Sequence, residues 1–320
     1  MKSLVRKSLG LLVGLSLTFT LTACGETAPE VDEGKLLQQG VYNLLNSGSM
    51  RFSVVVEGEV AEAATTPFAD VSMTANGAFS SLEEDESGVE VNVVFVADSD
   101  EGEYEVDVAV KVLEEKLYLK LLGSPIMPDL PAGLFDEMVG VWWMIDGPPT
   151  DGFGLSVPGF EDFAKGYDDV DEIAQAARDL LLDYSFFKDI SFDGSEDVEG
   201  MDTYRYSVAF DTDQISEFAY AKRALSGAEM TPEEKTSLEE FLASVSEFTG
   251  YVWVDKSSET LVRVGGPSFG LADLSGEIEV TFYDIDQPFS VKAPVDYEVF
   301  DLGVFLGAFV SPDMMGIPAE

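Results

Sequence analysis

Apolar side chains recur at every second position through much of this chain, and each such run predicts a strand. Phe52, Val54 and Val56 alternate with Ser53, Val55 and Glu57 in a run that reaches Val60. Val71, Met73, Ala75, Gly77 and Phe79 keep the same period, as do Val89, Val91, Val93 and Phe95. Tyr104, Val106, Val108, Val110 and Val112 come next, set against Glu105, Asp107, Ala109 and Lys111. Leu117, Leu119 and Leu121 then alternate with Lys116, Tyr118 and Lys120, and 141–146 reads as one more strand. Short strands joined by short turns predict an antiparallel meander with one apolar face and one wet face.

Helical spacing appears where the period lengthens. Leu36, Leu37, Val41, Leu44 and Leu45 share one face of a helix over 35–46, with Gly48 as its stop. A second helix is expected over 159–183 and a third over 211–225. Thr231, Pro232, Glu233 and Glu234 form a helix start, with an N-cap, a proline at the first position and acids in the first turn. That helix should reach Phe248. Strands return at 186–198, 203–210, 251–255, 260–265 and 276–284. The stretch 124–140, with Ile126, Leu134 and Met138 between Pro and Gly residues, reads as an apolar covering loop. No repeat or shift of composition divides 35–300, so these elements predict a single α+β domain followed by a tail over 301–320.

The first 34 residues differ in kind. Lys2, Arg6 and Lys7 precede an apolar run, 9–19, that is too short to span a bilayer. Leu21, Thr22, Ala23 and Cys24 resemble a bacterial lipobox, in which the cysteine sulfur receives a diacylglyceryl group and becomes the new N-terminus. Residues 1–23 are therefore expected to be a lipoprotein signal peptide, and 24–34 a lipidated cysteine on a flexible tether. The implied partner is a membrane, held through acyl chains of the palmitate kind. The implied location is exported, on the outer face of the cell membrane or within the cell envelope.

Charge removes other functions. The whole chain carries −43, and without the leader 15 basic residues face 61 acidic ones, a balance of −46. A field of that sign repels nucleic acid and anionic headgroups. There is no histidine, and Cys24 is the single cysteine, so a Ser-His-Asp triad and an imidazole- or thiolate-based zinc site are both excluded. Gly266, Ser268 and Gly270 match G-x-S-x-G but lack both a base and a following helix. Asp98, Ser99 and Asp100 start like a calcium loop, yet Gly102 and Ala109 stand where ligands are needed, so a solvated turn is expected. The cluster Asp168, Asp169, Asp171 and Glu172 reads as a charged helix start. No enzyme, metal or cofactor is expected.

Several of these hairpins resemble the LolA/LolB/LppX-type lipoprotein superfold. The resemblance rests on the helix-to-strand run over 36–56, on Gly200, Tyr204, Tyr206 and Val208, and on Trp253, Val254 and Asp255 followed by Leu261 and Arg263. Pro288, Phe289, Val291 and Pro294 resemble the end of its closing strand, over 280–294. The resemblance implies a curved antiparallel sheet, or half-barrel, with helices covering its concave face and a cavity for lipid-like ligands between them. On that basis Phe52, Val54, Met73, Phe79, Val91, Val106 and Val108 are expected to line the cavity. Trp142, one of two adjacent indoles that a strand would send to opposite faces, is expected to join them. The expected function is non-catalytic binding or carriage of a lipid-like molecule. The alternative is an envelope sensor or protein-interaction adaptor, with the same fold and a filled core. The sequence names no protein partner.

Overall fold

The computed structural model describes residues 29, 31–60, 68–81, 88–100, 102–113, 116–126, 135–145, 172–225, 227, 229–246, 248–267 and 274–300. The leader, Cys24, most of the tether, residues 127–134, the expected helical stretch over 159–171, Ser268 to Gly270 and the tail over 301–320 lie outside them.

Among the described residues twelve strands form one open sheet. They are β1 (Ser49–Val60), β2 (Phe68–Ser80), β3 (Gly88–Ser99), β4 (Gly102–Leu113), β5 (Lys116–Leu121), β6 (Trp143–Ile145), β7 (Phe187–Val198), β8 (Met201–Phe210), β9 (Thr249–Asp255), β10 (Leu261–Pro267), β11 (Leu274–Tyr283) and β12 (Glu298–Val299). Their order is β12-β6-β5-β4-β3-β2-β1-β11-β10-β9-β8-β7. Two meanders, β1 to β6 and β7 to β11, are therefore joined where β11 pairs with β1. Every pairing is antiparallel except that of β12 with β6.

Register decides which residues share a face. Val54 stands opposite Ala75 and Val280, Ala75 opposite Val93, and Val93 opposite Val108. The alternation visible in each strand thus adds up across the joint to one apolar face. Turn chemistry keeps the register. Glu199 and Gly200 both take positive φ, 52° and 82°, in the two-residue link between β7 and β8, the hairpin turn whose twist matches the strands. Ser99 Oγ donates to the Gly102 carbonyl at 2.9 Å, where Asp98 and Ser99 of β3 pair with Glu103 and Gly102 of β4.

Four helices are described: α1 (Glu33–Leu45), α2 (Glu172–Leu180), α3 (Thr212–Leu225) and α4 (Pro232–Val245). The N-cap of α1 is Asp32, which accepts the Lys35 amide. Leu36, Leu37 and Leu44 enter a core with Tyr206, Val208, Val252, Val254 and Leu261. Each buried leucine contributes about 2 kcal/mol of transfer free energy. Leu45, expected on that face, is instead 44% exposed, because the stripe drifts around the helix by its last turn. A Cβ on Gly40 would lie 3.2 Å from the Leu261 amide nitrogen, so its absence lets α1 approach the β10 backbone closely. Asn43 fastens the far end by donating to the carbonyls of Ser258 and Glu259.

The other helices lean on one another, α3 against α2 and α4. Thr231 and Glu234 make the reciprocal capping box that starts α4. That helix ends at Val245 rather than reaching Phe248. The Phe248 ring leaves the helix to lie across Gly250 and Gly266 and stacks on Phe210 at 4.6 Å.

The chain after β11 also differs from expectation. It does not continue as a closing strand. Asp284 and Asp286 take positive φ, 49° and 56°, and the Asp286 carboxylate accepts the Gly48 amide. Residues 287–300 then cross the polar face as a strap. Ser49 and Ser80 donate to the carbonyls of Gln287 and Phe289. Val291 is buried among Leu113, Tyr118 and Met144, and the Tyr297 ring meets Tyr118 edge-on at 5.5 Å. Tyr118, expected on the wet face, is therefore only 3% exposed.

Asp255 closes the turn between β9 and β10. Its carboxylate accepts the Ser257 and Ser258 hydroxyls and the Ser258 amide at 2.6–2.8 Å. Burial pushes its pKa up, but these hydrogen bonds outweigh it and hold the group below the usual carboxylate value. Asp255→Asn is expected to cost about 2 kcal/mol near neutral pH. Because the folded pKa is depressed, that contribution is complete above pH ~4 and disappears as pH falls through the folded value. Urea unfolding of both proteins from pH 7 to pH 3 checks this: the gap between them should shrink on the acidic side only.

Candidate functional site: the apolar face of the sheet

Seven of the eight residues expected to line a cavity come to one face. Phe52 and Val54 from β1, Met73 and Phe79 from β2, Val91 from β3, and Val106 and Val108 from β4 follow the pairings above. The face is not uniformly covered. At one end Phe79, Val89, Val112 and Leu117 are neighbours across four strands and all buried. Beyond them Phe52, Val91, Val110, Leu119 and Trp143 are half-buried, as are Val54, Val93, Val108 and Leu121 in the next row. The ring of Phe52 lies across Gly77, where a Cβ would overlap it. Among the described residues, none of the buried clusters includes these half-covered residues of β3 to β5.

On the other side of the joint the same face is filled. Tyr206, Val252 and Val254 lie under α1 with essentially no exposure. The Tyr206 hydroxyl has no hydrogen-bond partner among the described residues. Burial, with the Glu33 charge and Tyr204 adding to it, pushes that phenol well above its usual range. It therefore stays neutral.

Trp142 does not join the site. Leu119 pairs with Trp143, which puts Trp143 on the apolar face and Trp142 on the opposite one. There the ammonium groups of Lys111 and Lys120 each lie 5.7 Å from the Trp142 ring, a distance at which the ring face attracts a cation. Trp143, Leu119, Leu121, Val93 and Val110 are half-buried face residues missing from the sequence-based set. Alternation marks all of them, but only the register of β5 with β6 separates the two indoles. Of the expected covering stretch, 127–134 lie outside the described residues, and Ile126 stands at its start. It bridges Glu105 of β4 and is 47% exposed.

The opposite face carries the charge. Lys111 pairs with Glu90 at 2.9 Å, and Arg205 lies 4.1 Å from the Tyr251 ring centre. An open groove of about 590 Å³ lies at the ends of β11, β1, β2 and β3, among Glu57, Glu59, Asp70, Asp98 and Glu277. Among the described residues no group of three carboxylates is placed to hold a metal ion. The apolar face itself offers no titratable side chain in its central rows. Its chemistry is removal of hydrocarbon from water, at roughly 25 cal/mol per Å².

No protein-family model matches this chain, and no curated protein matches it. Among solved structures it is similar to LprF from Mycobacterium bovis, at 13% identity over 82% of this chain and 97% of that one, with TM-score 0.37. It is similar to the Mycobacterium tuberculosis lipoprotein LppX at 14% identity, over 82% and 100% of the two chains, with TM-score 0.33. A DUF1329 family protein from Desulfovibrio piger is similar at 12% identity, over 82% and 96%, with TM-score 0.21. LppX is by name a member of the group that the hairpin motifs resemble.

Proposed function

We propose that this protein is an exported lipoprotein, anchored through Cys24, that binds or carries a lipid-like molecule without catalysis. One observation supports this reading above the others: the central rows of the β3 to β5 face are wholly apolar and only half covered. A face of this kind normally belongs to a core, and a soluble domain leaves one open at a cost unless something occupies it. In this reading residues 35–300 act as one domain, whose sheet curves into a half-barrel with helices on its concave side. The acyl chain lies over β2 to β5, where α1 does not reach. The −46 balance of the mature chain works against attraction to anionic headgroups, so retention at the membrane rests on the acylated cysteine.

The test is to express residues 25–320, purify them from the host and analyse the particles by native mass spectrometry with lipid extraction. The expected result is a bound population heavier than the chain by the mass of an acyl lipid. Consistent recovery of bare chain that also takes up no fluorescent fatty acid overturns the reading.

A further inference from the structure

The half-covered face is closed at one end and open at the other. Phe79, Val89, Val112 and Leu117, all buried, close the first end. Along β3 and β4 the rows that follow are half-buried, through Val93 and Val108 to Phe95 and Val106, with Tyr104 half-buried beyond them. The open end lies where Ser99 of β3 meets Gly102 of β4. From Val89 to Ala97 the strand rises roughly 27 Å. One leaflet's acyl chain, about half of a 30 Å hydrocarbon core, lies within that length.

Charge divides the same two ends. In the described residues of the open half (55–60, 68–74, 94–100, 102–107, 121–126 and 274–279) every charged side chain is acidic. Lys111, Lys116 and Lys120 of β4 and β5 all lie on the closed-end side of Val108. Carboxylates stand directly opposite one another at the open end: Glu59 opposite Asp70, Asp70 opposite Asp98, and Asp98 opposite Glu103. Like charges so placed destabilise a sheet, and a cation beside them relieves that repulsion. They belong to the polar face, but at the strand ends the two faces share one rim. Asp98 and Glu103 are the immediate neighbours of Ala97 and Tyr104, the last pair of the apolar face.

We propose that the ligand lies along β3 to β5 with its hydrocarbon toward the Phe79 end and its head at the rim beside Asp98 and Glu103, and that this head is cationic, an amine or quaternary ammonium. The inference deepens the lipid-binding reading above and rests on it. A charged head cannot be left unpaired among Phe79, Val112 and Leu117, so it leaves at the open end. There the carboxylates attract a cation and repel a phosphate or carboxylate.

Isothermal titration calorimetry of residues 25–320 tests this with three amphiphiles that share one sixteen-carbon chain: hexadecyltrimethylammonium, monopalmitoylglycerol and palmitate. At low salt the cation is expected to bind about tenfold more tightly than the neutral lipid, and palmitate more weakly than either. Near 1 M salt, where screening acts over about 3 Å, the three should converge. The overall negative charge would also favour a cation, so two variants separate the rim from the whole. Asp98→Asn with Glu103→Gln removes two facing, exposed rim charges. Asp213→Asn with Glu217→Gln removes the same charge from exposed positions of α3. The rim pair should lower the cation preference about threefold, and the α3 pair should leave it unchanged. Equal affinities for the three amphiphiles, a preference for palmitate, or equal losses in both variants overturn the inference and leave lipid binding standing. No binding of any of the three rejects both.

Discussion

Val93→Asp combined with Val108→Asp is expected to weaken fatty-acid binding about 100-fold while leaving the protein folded. The two residues are direct cross-strand partners in the central rows of the apolar face, and both are half-buried. Half-burial is what makes the experiment informative. In the free protein the new carboxylates turn toward water, so their cost to folding is modest. Under an acyl chain they would have to lose that water with no partner in reach, which is expensive for any ionised group. A penalty near 2.8 kcal/mol, shared by two carboxylates, corresponds to about 100-fold. Asn92→Asp, next to Val93 in sequence but exposed on the polar face, adds the same kind of charge and should leave binding unchanged. Fluorescence titration of the three proteins, with circular dichroism as the folding control, gives the comparison.

Leu37→Ala is expected to destabilise the protein by about 3 kcal/mol, within the range for large-to-small changes in a packed core. Leu37 is 1% exposed and sits in the cluster that joins α1 to β8, β9 and β10. Close approach at Gly40 prevents the helix from sliding to close the space. Leu45→Ala, on the same helix but 44% exposed, should cost under about 0.5 kcal/mol. Urea unfolding midpoints decide between this placement and one in which both leucines pack equally. If α1 were only a loose cover, both changes would be mild.

The contrast between Leu37 and Leu45 shows what sequence periodicity could and could not show. The alternation over 52–60, 71–79, 89–95 and 104–112 was enough to place seven site residues on one face, because a period of two fixes orientation within a strand and short turns fix register between strands. The helix start at Thr231 to Glu234 was legible for the same local reason. Contacts distant in sequence were not. Trp142 and Trp143 are equivalent until β5 supplies a register. Tyr118 looks solvent-facing until the strap, far along the chain, lies over it. The pairing of β11 with β1, which turns two meanders into one sheet, leaves no signature in either strand alone. The reversal at Asp284 and Asp286 is hidden too, since positive φ is uncommon outside glycine. Nor does the pattern along β2 to β5 differ from that of the strands under α1. The difference lies in which strands a helix reaches.

Direct mapping of where an acyl chain sits tests the central claim most sharply. A fatty acid bearing a diazirine near its methyl end is bound to residues 25–320, irradiated, and its adducts are located by tandem mass spectrometry. Labelling concentrated on Met73, Val91, Val93, Val108 and Leu119, and suppressed by an excess of unlabelled fatty acid, is the predicted result. Saturable labelling on the polar face around Arg205 and Tyr251, or within the acidic groove around Glu57 and Asp70, would contradict it.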